Sequence, residues 1–272
     1  MVEYVIANAT VVPVRENPSE GAEQLTQLLF GEVCEVLDRL PRWTKIRSTQ
    51  DGQEGWVDFK MVSPASSLIA SSPHRLEAVV AAPMAAATPM DGGADLLLTL
   101  GTRLPNYSHG TFEVLGQQYL IDPTCVNNTT QLLNSDLSRA ELLNNVCATA
   151  QTLLNAPYLW GGKNLMGMDC SGFTQVVYAT QGINLLRNAR EQMTQGELVP
   201  SLAEAQPGDL AFFDHADRDP KATNISHVGL LLDNKKIIHC SGCVHVDDID
   251  EMGIHLPDGE LTHHLVQIRR YL

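Results

Sequence analysis

The hydrophobic period of this chain changes at Ser138, and that change limits what it can fold into. Ahead of it, TVVPVR, LLFGEVCEVLDRL, RWTKIRS and EGWVDF are short alternating or continuous apolar runs punctuated by Gly, Pro and Asp, the pattern of a small antiparallel barrel. A weaker second copy follows at an offset of about 70 residues, with Gly31 matched by Gly101, Lys45-Ile46 by Val114-Leu115 and Trp56-Val57-Asp58 by Leu120-Ile121-Asp122. From Ser138 the period is helical: Leu142, Leu143, Val146, Cys147, Ala150, Leu153 and Leu154 share one face, Ser138 and Glu141 have capping-box spacing, and Pro157 ends the run. PYLWGGKNLMGM then leads into a second helix, 170 to about 181, with Gly182 as its C-cap, and PGDLAFF, ISHVGLLLD and KKIIHCS read as strands.

The fold expected is multidomain: two small all-β barrels, residues 1–64 and 65–124, a connection at 125–137, and an α+β domain of helices packed on an antiparallel sheet at 138–272. SPASSLIASSPHR (63–75), AAPMAAATPMDGGA (81–94) and PTCVNNTTQLLNSD (123–136) are the segments expected to be linker or loop.

A chain of 272 residues can bury a core without staples, and six cysteines are too sparse for a disulfide scaffold, so they are expected to be reduced. The net charge of −14 repels phosphate backbones, which argues against a nucleic-acid partner. No apolar run reaches a membrane span, and the start, with Glu3 and no basic residue before Arg15, lacks the pattern of a signal peptide. The expected location is the cytoplasm, or an extracytoplasmic compartment if a leader has been removed, and the expected state is a monomer.

DCSGFTQVVYATQG, residues 169–182, places Cys170 at the first turn of a helix, where the positive field of the terminus favours thiolate. A tight hairpin through Asp233-Asn234 would pair residue 227 with 239, 229 with 237 and 231 with 235, making His227 and His239 direct cross-strand neighbours. Gly229 beside them would let a helix or substrate approach closely. A thiol, a histidine and a second group orienting that histidine are the minimum for cysteine-based acyl transfer. In this reading His227 and the helix terminus hold Cys170 as thiolate, His227 protonates the leaving amine and His239 fixes its tautomer. The Cys170 amide, with the Tyr158 hydroxyl, supplies the oxyanion site.

PYLWGG, DCSGF, PGDLAFF, ISHVGLLL and IIHCSG resemble, in order and spacing, the NlpC-type cell-wall cysteine peptidases, whose papain-like domain uses Cys, His and a third polar residue. The resemblance covers roughly 138–272. The front, with Gly31-Glu32, Trp43 and DGQEGWV, resembles bacterial SH3-like modules, closely in the first copy and less so in the second. It implies a γ-D-glutamyl-diamino acid endopeptidase acting on peptidoglycan stem peptides with a free L-alanine amine, in wall turnover or recycling, without a cofactor. By position, Asp169 and Glu23 are the candidates for that amine, and Ser171, Tyr158 and Trp160 for other substrate contacts. Gln53 stands in a loop where some relatives carry tyrosine. Arg190 lies near the place of a small hydroxyl residue and could either hold the α-carboxylate of D-glutamate or narrow the site.

Blander roles exist for the same residues: Asp169 as an N-cap, Tyr158 and Trp160 as core aromatics, Glu23 as a solvated charge. Two rival functions stand beside the enzyme. One is a non-catalytic binder of wall peptides. The other is a zinc protein using His239, Cys240, Cys243 and His245, although period 2 puts His239 and Cys240 on opposite faces.

Overall fold

The structure is a computed structural model that describes residues 2–65, 78–129, 132, 138–215 and 224–271; most of the 63–75 stretch and of 130–137 lies outside them. β1 (Tyr4–Ala7), β2 (Val11–Arg15), β3 (Gln24–Leu29), β4 (Val33–Leu40), β5 (Trp43–Ser48), β6 (Glu54–Asp58) and β7 (Val62–Ala65) form one antiparallel sheet, ordered β3-β2-β6-β5-β4-β1-β7. Val5, Val12, Leu28, Cys34, Ile46, Val57 and Val62, one from each strand, share a single buried cluster, so the sheet must curl around it. β7 pairs with β1 through Ala65, one residue past the expected boundary.

The second β unit comprises β8 (Val79–Val80), β9 (Met84–Pro89), β10 (Leu96–Thr99), β11 (Thr111–Val114), β12 (Gln117–Ile121) and β13 (Val126–Asn127). β9 corrects the expectation of a loop at 81–94. Its Ala85 and Ala87 are small enough to pack with Leu98 and Phe112, while alternate residues face out. β13 pairs with β8, so this unit runs to Asn127 and takes in residues expected to be connection. Both units end alike: Asp58 accepts from the Lys60 amide and Asp122 from the Thr124 amide, each opening a 3-10 turn. Ile6 and Phe30 of the first unit lie in the second unit's core, which joins the two.

α1 (Arg139–Gln151) begins on the Ser138–Glu141 capping box. It stops at Gln151, well before Pro157, because the chain turns through Asn155 at φ 68°. After the short hairpin β14 (Lys163–Asn164) and β15 (Gly167–Met168) come α2 (Cys170–Ala179) and α3 (Ala189–Gln192). The remaining strands are β16 (Glu197–Val199), β17 (Leu210–His215), β18 (His227–Leu231), β19 (Lys236–Ser241), β20 (Cys243–Asp250), β21 (Gly253–His255) and β22 (Leu261–Arg270). They are ordered β16-β22-β17-β18-β19-β20-β21, and β21 also pairs with β22, which closes β17–β22 into a ring. Leu210, Phe212, Val228, Leu230 and Ile238 pack with Phe173 and Val177 of α2, whereas Ala211, Phe213, Leu231, Ile237 and Ile249 form a second cluster. This is period 2 dividing one sheet between two cores.

The β18–β19 register differs from the expected one. Gly229 pairs with His239 and Leu231 with Ile237, a shift of two residues. The cause is a wider turn, in which the Asp233 carboxylate accepts from the amides of Lys235 and Lys236. A shift of two keeps every side chain on its face, so His227 and His239 remain together, as diagonal neighbours. Gly229 also has a different use from the one expected: a Cβ there would lie 2.6 Å from Ile237 Cδ1 and 2.9 Å from His239 Cβ. It makes room for its own cross-strand partners.

Candidate active site

Asp169 starts α2. It is extended at φ −92°, and its Oδ1 accepts from the Gly172 amide at 2.7 Å, a side-chain N-cap. Cys170 is therefore the first helical residue, 8% exposed. Its sulfur is approached by the amides of Ser171 and Val228, the latter next to His227 on β18. Burial, reinforced by the Asp169 carboxylate, pushes the Cys170 thiol up to about 12, and the two amides and Arg187 only partly oppose this. Desolvation therefore opposes the thiolate that a helix terminus favours.

His227 Nε2 lies 2.8 Å from His239 Nδ1, and His239 Nε2 lies 3.1 Å from Asp247 Oδ2. Hydrogen bonding from His239 holds the Asp247 carboxyl below its ordinary value, and burial holds His239 below its own. A charged carboxylate only accepts, so neutral His239 carries its proton on Nε2 and presents Nδ1 as acceptor. His227 must then donate from Nε2, which leaves the lone pair on Nδ1. Asp247 thus sets the tautomers of two rings in series. His263 packs against His227, with ring centroids 4.4 Å apart and the planes tilted by 35°.

Leu25, Trp160, Asp169, Cys170, Ser171 and Arg190 are among the residues that line a cleft of ≈ 580 Å³, with Asn188 beside them. One wall belongs to the first β unit: Trp160 Nε1 donates to Glu23 Oε1 at 2.8 Å, and Gln24 Nε2 donates to the Trp160 carbonyl at 3.0 Å. Trp160, 60% exposed, is a cleft wall and not a core aromatic. Tyr158 is partly exposed, and burial followed by the nearby Cys170 and Asp169 keeps its phenol protonated. Arg190 is exposed and donates to Asn224 Oδ1. Gln53 accepts from Asn188 Nδ2 at 3.3 Å.

Asp169 also lines this cleft, and its carboxylate is already heavily engaged. Besides Gly172, its carboxylate accepts from Gly161 N at 2.9 Å, Ser171 Oγ at 3.3 Å and both terminal nitrogens of Arg187 at 3.0 and 2.6 Å. Five donors saturate it. Arg187, 1% exposed, also donates to Ser171 Oγ and to Thr26 of the first β unit. Ser171 is consequently tied into this network as well. The zinc set also falls apart, because Cys240 is buried in the helix-side core with its sulfur on the Met168 carbonyl at 3.1 Å.

Sequence reasoning missed Arg187, Asn188, His263 and Asp247. Only Asp247 carried a local signal, the alternation His245-x-Asp247 on a strand that returns beside His239.

Residues 155–266 match the NlpC/P60 family and residues 10–63 the bacterial SH3 domain. The chain is 27% identical to a gamma-D-glutamyl-L-lysine dipeptidyl-peptidase of Bacillus cereus over 79% of its length, and spans 66% of that relative. Against the Bacillus subtilis protein of the same name the identity is 27% and the spans are 79% and 71%. A solved NlpC/P60 family protein from Bacillus cereus shares the fold across 99% of both chains, with TM-score 0.80 at 20% identity.

Proposed function

Since the chain carries an NlpC/P60 domain and a bacterial SH3 domain, we propose that it hydrolyses the bond between γ-D-glutamate and the diamino acid of peptidoglycan stem peptides that begin with a free L-alanine. The observation that carries this reading is the Cys170 thiol at the head of α2, beside a strand whose His227 is set by His239 and Asp247 to accept a proton on Nδ1. His227 takes the thiol proton as the sulfur attacks the γ-carbonyl carbon. The Cys170 amide and the Tyr158 hydroxyl stabilise the oxyanion. His227 then protonates the departing amine, and water hydrolyses the thioester, returning the thiol.

The selection of short peptides with a free amine is assigned to the shared wall of the cleft. Glu23, held by Trp160, offers a carboxylate to an ammonium group, and the rim contributed by the first β unit bars a peptide extended beyond its first residue. The relatives' name, dipeptidyl-peptidase, supports this reading. Such an enzyme would work on soluble fragments in wall-peptide recycling, with no cofactor.

The test is mass spectrometry of L-Ala-γ-D-Glu-L-Lys and its N-acetylated form after incubation. Cleavage of the first at least about tenfold faster than the second is expected, with no cleavage by Cys170→Ala. Equal rates would remove the amine pocket, and an active Cys170→Ala would remove the mechanism. A non-catalytic binder would bind both peptides and cleave neither.

A further inference from the structure

His239, His245 and Asp247 place three ligand atoms within 4.8 Å of one another, and their contacts call for a cation. His245 pairs directly with His239 across β19 and β20, and Asp247, two residues on, shares their face. Asp247 Oδ2 lies 3.1 Å from Nε2 of both rings. His245 Nδ1 lies 2.8 Å from the Cys243 carbonyl, which can only accept, so that nitrogen carries the ring proton. Neutral His245 then turns an Nε2 lone pair toward a carboxylate oxygen, two acceptors face to face. Either a second proton or a metal ion resolves the contact. An imidazole whose other N–H is anchored on a backbone carbonyl is also the arrangement usual for a metal ligand.

We propose that His239 Nε2, His245 Nε2 and Asp247 Oδ2 form a site for a divalent ion of the zinc class, with water completing a tetrahedron, and that occupancy switches the peptidase off. The His245 side chain, 33% exposed, gives the ion its way in. A metal on His239 Nε2 forces the ring proton to Nδ1, where it donates to His227 Nε2. The proton of His227 then resides on Nδ1, the nitrogen that must accept from Cys170. The same two protons remain, each moved one nitrogen along, and the base is blocked.

The metal half does not depend on the peptidase reading, whereas the inhibition does. Calorimetry of zinc binding to Cys170→Ala protein, which lacks the nucleophile as a competing ligand, should show one site, weakened at least about tenfold by adding His245→Ala or His245→Asn. No binding, or binding that ignores both changes, overturns the site and leaves the second proton as the cation. In hydrolysis assays with Cys170 intact, zinc should inhibit reversibly by chelator, and His245→Ala should keep basal turnover yet lose this sensitivity. Equal inhibition with and without His245 would put the metal on Cys170 and overturn the switch. If no peptide is cleaved at all, the functional reading fails, and the calorimetry still decides the site.

Discussion

Asp169 sits next to the nucleophile, and its two oxygens are fully engaged by the helix cap, Gly161, Ser171 and the Arg187 guanidinium. Its effect on Cys170 is electrostatic, adding to burial in pushing the thiol up to about 12. A raised thiol value means that neutral pH lies far below the midpoint, so the thiolate fraction grows about tenfold for each unit of rising pH. Alkylation of Cys170 by iodoacetamide, followed by peptide mapping, should therefore be slower at pH 7 than for an exposed cysteine and rise through pH 9 without a plateau. A plateau below pH 7 would show a resting thiolate. Asp247 acts through His239. Asp247→Ala should lower kcat at least about tenfold with KM little changed, because only the tautomer population of His227 is disturbed. Nitrogen NMR of the imidazoles should show the mixed tautomers, a signature that a purely structural role would not produce.

At the scale of elements, α2 aims the thiol and the β18–β19 hairpin aims the base. Both were legible in sequence, because a cap followed by an apolar run and two alternating runs around a polar turn are local patterns. The register was misread by two residues because Asp233 uses its side chain to widen the turn, yet the face survived, since faces repeat every second residue. AAPMAAATPMDGGA concealed β9 because alanine has little strand preference, and its burial against Phe112 comes from the neighbouring strands. Gly172 shows how tightly α2 is seated: a Cβ there would lie 2.1 Å from the Gly162 carbonyl oxygen. Gly172→Ala should cost about 1–3 kcal/mol by overpacking, read as a lower Tm, and should reduce kcat by displacing Cys170.

Across the whole molecule, the first β unit is fixed to the catalytic domain by buried polar contacts. Lys163 Nζ meets both Glu32 oxygens at 2.8 and 3.0 Å, Gln27 Oε1 accepts from Lys163 N and Asn164 Nδ2, and Arg187 reaches Thr26. Gly161, at φ +73°, lies so close to Gln24 that a Cβ would come within 2.5 Å of its carbonyl oxygen. The second unit braces the outer side of α2, where Gly101 packs on Val176 and Arg103 donates to Asn184 at 2.5 Å. Glu32→Ala strands a buried lysine charge and should cost about 3–5 kcal/mol in denaturant unfolding, while Glu32→Leu with Lys163→Met should recover most of it. The sequence by itself determined the order of β and α+β parts, the helix that begins at Cys170 and the common face of His227 and His239, because caps and periodicity act between residues a few positions apart. The tertiary structure alone decided how deeply Cys170 is buried, that Asp169 pairs with Arg187, that Asp247 extends the histidine pair, that Leu25 lines the cleft and that Glu23 meets Trp160 of the cleft wall. Desolvation and charge pairing depend on which distant segments pack together, and no local pattern records that.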